Sequence, residues 1–164
     1  MVDSLATVAT QVARISPELF IAWAGMILMV ALSGLGSATG TVMGGSATIG
    51  AIKKNDEIFG NCMLLSALPG TQGLYGFGAF FILKAKIMVG MPLLNACAIF
   101  AAGAIVGLVC YFSAIQQAKI VSCGIDSLGQ GNDVFGKTLI LAVYPELYAI
   151  ISFATAFLIS TMLK

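Results

Sequence analysis

The sequence contains no histidine, and only 9% of its 164 residues are charged. Without imidazole, histidine-dependent proton transfer is excluded and the usual four-ligand zinc sites are disfavoured. The net charge of +1 provides no basic surface for nucleic acid, so we expect no nucleic-acid partner. The cysteines lie in apolar segments without a CxxC pair, which indicates packing residues and not disulfides or metal ligands; they are Cys62, Cys97, Cys110 and Cys123.

Long apolar segments account for most of the chain. Hydrophobic residues make up 59% of it. Charged residues make up only 9%, whereas a soluble domain carries about 25% charged residues. Four apolar segments, 19–52, 58–83, 92–125 and 134–163, each exceed the ~20 residues needed to cross a bilayer. The composition therefore predicts an all-α, multi-pass integral membrane protein with four transmembrane helices in a lipid bilayer.

The two halves of the chain are related by a shift of 76 residues. In this register Pro69 falls on Pro145, and Phe77 falls on Phe153. Each half is predicted to be one helix, a short polar turn and a second helix. Two crossings per half give the copies the same orientation in the membrane, which makes them parallel repeats.

The repeat predicts two tandem helical hairpins, 17–88 and 89–164. Residues 1–16 precede them. They lack the basic start and apolar core of a secretory signal and, being mildly amphipathic, are predicted to be a short surface helix. In the repeat register Gly70 is the counterpart of Glu146. The carboxylate is therefore present in the second hairpin only.

Small residues line the first predicted helix. Gly36, Gly40 and Gly44 form an i, i+4 row, which lets helix backbones approach closely within lipid. This row predicts a tightly curved assembly of many identical helices. The run from Gly34 to Gly36 resembles part of a dinucleotide fingerprint, but it lies inside an apolar helix with no preceding strand, which favours packing.

Glu146 is an ionisable side chain deep inside an apolar segment. A carboxylate at bilayer depth costs at least about 2.5 kcal/mol, and such residues typically hold or move an ion. The alternative is a protonated carboxyl group that forms a hydrogen bond to a neighbouring helix. Lys119 and Lys137 are assigned to the same side of the membrane as Lys53 and Lys54.

A polar stripe is predicted on the second helix. Leu68, Thr71, Gln72 and Tyr75 share one face because their spacing is i, i+3, i+4 and i+7. Proline at position 69 lacks a backbone donor and disturbs its turn, so backbone carbonyls there are candidate ligands.

The third helix adds two adjacent amides, Gln116 and Gln117. Carboxylate, amide, hydroxyl and main-chain oxygens are the ligands that a hard cation prefers. A proton needs only the carboxylate and one partner, so the larger oxygen set favours a monovalent metal ion. Calcium is disfavoured because one carboxylate would leave the buried site net positive. Hydrogen bonding between helices is the alternative, and the spacing leaves both open.

Three segments carry a resemblance to a known family. Residues 68–75 (LPGTQGLY), 113–119 (SAIQQAK) and 145–150 (PELYAI) resemble the rotor-ring proteolipid of V-type ATPases, called the K or c subunit. The chain looks most like the sodium-pumping bacterial branch. The resemblance implies that a tyrosine, here Tyr75, locks the carboxylate, and that Na+ is held by the Leu68 backbone carbonyl, Thr71, Gln72, Gln117 and Glu146.

The resemblance also implies partners and a location. We expect a ring of identical copies in a bacterial cell membrane, turning against a static membrane subunit with a basic residue and connected to central-stalk subunits. ATP hydrolysis takes place on other subunits, in agreement with the lack of a phosphate-binding loop here. We expect no catalytic chemistry in this chain and no organic cofactor.

Three alternatives stay open from the sequence. The same rotor could carry H+ in place of Na+. A small four-helix exporter of lipophilic cations can also depend on one membrane glutamate, although generally in its first helix. A passive pore or assembly factor would have no need of the oxygen-rich stripe.

Overall fold

The computed structural model describes residues 16–163. All secondary structure within these residues is helical. The predicted all-α fold with four crossings as tandem hairpins is confirmed. The predicted surface helix at 1–16 lies outside the described residues except for its last residue. Five helices and two short 3-10 turns follow in this order: α1 (Pro17–Ile52), a turn (Asp56–Ile58), α2 (Phe59–Ala67), a turn (Leu68–Gly70), α3 (Thr71–Lys84), α4 (Leu93–Gly129) and α5 (Phe135–Met162).

A proline marks the start of α1 and of α4. Ser16 caps α1 by accepting a hydrogen bond from the Leu19 backbone nitrogen at 3.3 Å, and Pro17 occupies the first helical position. Pro92 is the N-cap of α4. With 36 and 37 residues, α1 and α4 are each about 55 Å long, well beyond the ~30 Å hydrocarbon core.

Three of the four crossings are single helices, and the second is divided. Among the described residues, α1, α4 and α5 are each long and apolar enough to span a bilayer. The second crossing consists of α2 and α3, with 9 and 14 residues, joined by the 3-10 turn at Pro69. Its repeat counterpart, Pro145, lies inside a continuous α5. The difference follows the next residue, because glycine at position 70 favours a helix far less than glutamate at 146.

The glycine row of α1 packs against helices of the same chain. A Cβ atom at Gly36 would lie 2.7 Å from the Tyr111 Cα of α4, and one at Gly44 would lie 2.7 Å from the Ser66 Cα of α2. Only glycine permits these backbone approaches. The close approach of helix backbones that the row predicts is thus present within one chain.

Two apolar clusters fill the core, and polar side chains lie between them. One cluster includes Met26, Leu83 and Ile99, and the other includes Leu65 and Ile125. The first cluster extends along α4 as far as residue 110, and the second begins at residue 121. The polar layer therefore occupies the middle of α4, close to residue 117.

Lys119 lies in the third predicted apolar segment, 92–125, which the structure forms as part of α4. It lies ten residues before Gly129 and hence about 15 Å from the end of the helix. Its side chain is exposed. The flexible aliphatic stem of lysine allows its amine to reach polar surroundings from such a position. The predicted hairpin boundaries, 17–88 and 89–164, remain predictions.

Candidate functional site

Glu146 lies far from either end of α5. It follows Phe135 by eleven residues, which places it about 16 Å along the helix. Because half of a ~30 Å hydrocarbon core is about 15 Å, a helix that enters the core near Phe135 carries Glu146 to mid-membrane. The side chain is half-buried.

Both carboxylate oxygens of Glu146 accept hydrogen bonds from other helices. The Tyr75 hydroxyl of α3 donates to Oε1 at 2.8 Å, and Gln117 Nε2 of α4 donates to Oε2 at 3.1 Å. Hydrogen bonds to an ionised acceptor are stronger than those between neutral groups. The Tyr75 ring also packs against Phe153, with ring centroids 6.1 Å apart. Glu146 therefore points toward α3 and α4.

The two glutamines form a buried pair with a defined orientation. Gln72 Nε2 donates to Gln117 Oε1 at 2.9 Å, and Gln117 Nε2 also donates to the Ala142 carbonyl at 2.8 Å. Both side chains are completely buried. The amide nitrogens are thus engaged by protein acceptors, and the Gln72 oxygen is directed toward Thr71.

Three oxygens lie side by side where the second crossing is broken. The Thr71 hydroxyl donates to the Leu68 carbonyl at 3.0 Å, and Thr71 Oγ1 lies 3.4 Å from Gln72 Oε1. The second distance exceeds the ~2.5–3.0 Å of an O–H···O hydrogen bond, and the hydroxyl proton is already directed at Leu68. Two ligands at right angles around a cation at about 2.4 Å are about 3.4 Å apart. The spacing therefore suits neighbouring cation ligands.

The structure brings all six predicted site residues into one network with two parts. Glu146, Tyr75 and Gln117 form one part, and Leu68, Thr71 and Gln72 form the other. The hydrogen bond between the glutamines joins them. Within residues 16–163 no three His, Cys, Asp or Glu side chains gather to hold a metal ion, so a cation here would rely on one carboxylate and neutral oxygens.

Gln116 does not join the network. It is exposed and lines a 580 Å³ groove on the outer face of α4 and α5, together with Tyr144 and Tyr148. The sequence could not separate it from its neighbour Gln117, because the choice depends on which face of α4 is buried.

Ser113 is a residue of this network that was not predicted from the sequence. Its hydroxyl donates to the Pro145 carbonyl at 2.7 Å and lies 3.3 Å from Gln72 Nε2, which donates to it. Two signals pointed to it: Ser113 precedes Gln117 by one helical turn, and its repeat counterpart is also a serine, Ser37.

The comparisons with known proteins agree on a family. A family model described as the C subunit of ATP synthase matches residues 24–83 and again residues 100–159. Each boundary of the second match lies 76 residues after that of the first, the same shift that relates the two halves of the sequence.

Two curated relatives are similar to this chain. One is the V-type sodium ATPase subunit K of Enterococcus hirae, 35% identical over 127 residues, or 77% of this chain and 81% of the relative. The other is the A-type ATP synthase subunit K of Methanocaldococcus jannaschii, 35% identical over 135 residues. That match covers 82% of this chain but only 59% of the archaeal relative. The chain therefore belongs to the family of ATP synthase C subunits, as a proteolipid of the c/K type found in V-type and A-type ATPases.

Proposed function

We propose that this chain is a rotor-ring subunit that carries Na+ across the membrane, one ion per chain, bound at Glu146. The observation that supports sodium is the group of neutral oxygens beside a single mid-membrane carboxylate. Leu68, Thr71 and Gln72 present three of them at spacings of 3.0 and 3.4 Å. One of the two curated relatives is named a sodium ATPase subunit.

The charge balance of the site explains why the ion travels with the chain. An unpaired carboxylate facing hydrocarbon is costly to desolvate, whereas a carboxylate that holds one monovalent cation is neutral overall. Only the occupied site can therefore cross the lipid phase at low cost. Tyr75 and Gln117 would hold Glu146 in place while it does so.

The proposed partners follow from this requirement. Identical copies would form the ring, and each copy would bring its carboxylate to a static membrane subunit that bears a basic residue. The attraction of that residue for Glu146 would open the site and release the ion. Central-stalk subunits would connect rotation to ATP hydrolysis on other subunits. The bacterial cell membrane remains the predicted location, although one of the two relatives is archaeal.

Carbodiimide modification of Glu146 in the purified ring tests the proposal. Reaction at constant pH is compared with and without millimolar Na+, with K+ at the same ionic strength as control. We expect Na+ to slow the modification, because the bound cation occupies the carboxylate oxygens that must add to the carbodiimide carbon. Equal rates in Na+ and K+ would reject sodium binding.

Proton transport by the same rotor is the second candidate. One observation favours it: both oxygens of Glu146 already have hydrogen-bond donors, Tyr75 and Gln117, without a metal ion. In the same experiment a proton-only site would show modification rates that do not respond to Na+.

A further inference from the structure

Ser113 connects three helices at the centre of the site. It is buried on α4, and its hydroxyl contacts the Gln72 side chain of α3 and the Pro145 carbonyl of α5. Pro145 immediately precedes Glu146. One hydroxyl group thus links a proposed ligand to the backbone that carries the carboxylate.

The direction of these hydrogen bonds is fixed by chemistry. A carbonyl oxygen can only accept, so the single proton of the Ser113 hydroxyl is committed to Pro145 at 2.7 Å. Toward Gln72, Ser113 can then act only as an acceptor. The amide must present its nitrogen to Ser113, as observed at 3.3 Å.

The Gln72 amide nitrogen has two protons, and two acceptors use them. These acceptors are Ser113 Oγ at 3.3 Å and Gln117 Oε1 at 2.9 Å. Because the nitrogen is held on this side, the amide oxygen is directed toward Thr71, where the other candidate ligand oxygens lie. A flipped amide would present N–H groups to a cation and repel it.

The repeat provides a separate observation. Ser37, the counterpart of Ser113 in the first hairpin, accepts a hydrogen bond from the Gly73 backbone nitrogen at 2.7 Å. Gln72 is therefore held twice: its side chain by the serine of α4 and its neighbouring backbone by the serine of α1.

We propose that Ser113 is a positioning residue that fixes the Gln72 amide with its oxygen toward the ion and thereby sets the affinity of the site for Na+. This inference rests on the proposed function. It predicts that loss of the hydroxyl weakens sodium binding while Glu146 itself stays accessible and reactive.

The test is Ser113→Ala in the complete ring, read by the Na+ concentration that halves carbodiimide modification of Glu146. Loss of one hydrogen bond that orients a ligand should raise this concentration about tenfold. The size of the ring should not change, and the midpoint is normalised to the modification rate of the same variant without Na+. Ser113→Thr, which restores a hydroxyl, should return the midpoint toward that of the unmodified chain.

Ser152→Ala is the matched control. Ser152 is also buried, but its hydroxyl donates to Ala149 of its own helix at 2.7 Å. We expect this variant to keep the unmodified midpoint. An unchanged midpoint in Ser113→Ala, or an equal shift in Ser152→Ala, would overturn the inference while sodium binding stands. Absence of Na+ protection in the unmodified chain would overturn both proposals together.

Discussion

The Tyr75 hydroxyl provides the sharpest single perturbation of the site. It donates to Glu146 Oε1 at 2.8 Å, and Tyr75→Phe removes this hydrogen bond. The aromatic ring and its contact with Phe153, at a centroid distance of 6.1 Å, are kept. The variant therefore separates the proposed locking of the carboxylate from packing between α3 and α5.

The magnitude follows from the charge of the acceptor. Hydrogen bonds to charged groups contribute about 1.5–3 kcal/mol, and 1.4 kcal/mol corresponds to a factor of ten in an equilibrium constant. Tyr75 is half-buried, so we adopt the lower end of this range. Tyr75→Phe should weaken Na+ binding about tenfold, chiefly through faster release of the ion.

The assay is the release of radioactive Na+ from purified rings after dilution into unlabelled buffer. Tyr148→Phe is the matched control, because Tyr148 is exposed on the outer groove and only two residues from Glu146. We expect about tenfold faster release from Tyr75→Phe and an unchanged rate from Tyr148→Phe. Equal release rates from Tyr75→Phe and the unmodified chain would refute a locking role for this hydroxyl.

Two further predictions concern the carboxylate and the packing. Glu146→Gln should abolish ion transport in reconstituted vesicles. The ring should still assemble, because the glycines that pack the helices are unchanged. Loss of the ring in native mass measurements would indicate a structural carboxyl group instead. Gly36→Ala should lower the thermal midpoint of the ring by the equivalent of about 1–3 kcal/mol, because the added Cβ would lie 2.7 Å from the Tyr111 Cα. In the control Gly60→Ala the added Cβ meets no atom within 4 Å, so this variant should be neutral. Similar midpoints for the two variants would contradict the close approach.

Much of the helical architecture could be predicted from the sequence, because long apolar segments bounded by prolines leave few alternatives in a membrane. The break in the second crossing was predicted only as a disturbed turn. Both hairpins carry a proline at the equivalent position, yet only Pro69 lies in a 3-10 turn. Whether the helix is broken at the proline depends on the following residue, Gly70 or Glu146. It also depends on packing against other helices, which the sequence pattern of one helix does not show.

The part of the site that lies on one helix could be predicted from the sequence, whereas contacts between helices could not. Helical spacing alone places Thr71, Gln72 and Tyr75 on one face. Ser113 was missed because a serine in an apolar helix is a common packing residue, and its partners come from two other helices.

A high-resolution map of the assembled ring in Na+, compared with one in K+, tests the central claim most directly. We predict one density per chain that is specific to the Na+ map, within about 2.3–2.6 Å of Glu146 and of the Thr71 and Gln72 oxygens. The Glu146 side chain should point toward α3 and α4. A carboxylate turned away from the two glutamines, or the same empty site in both maps, would contradict the account.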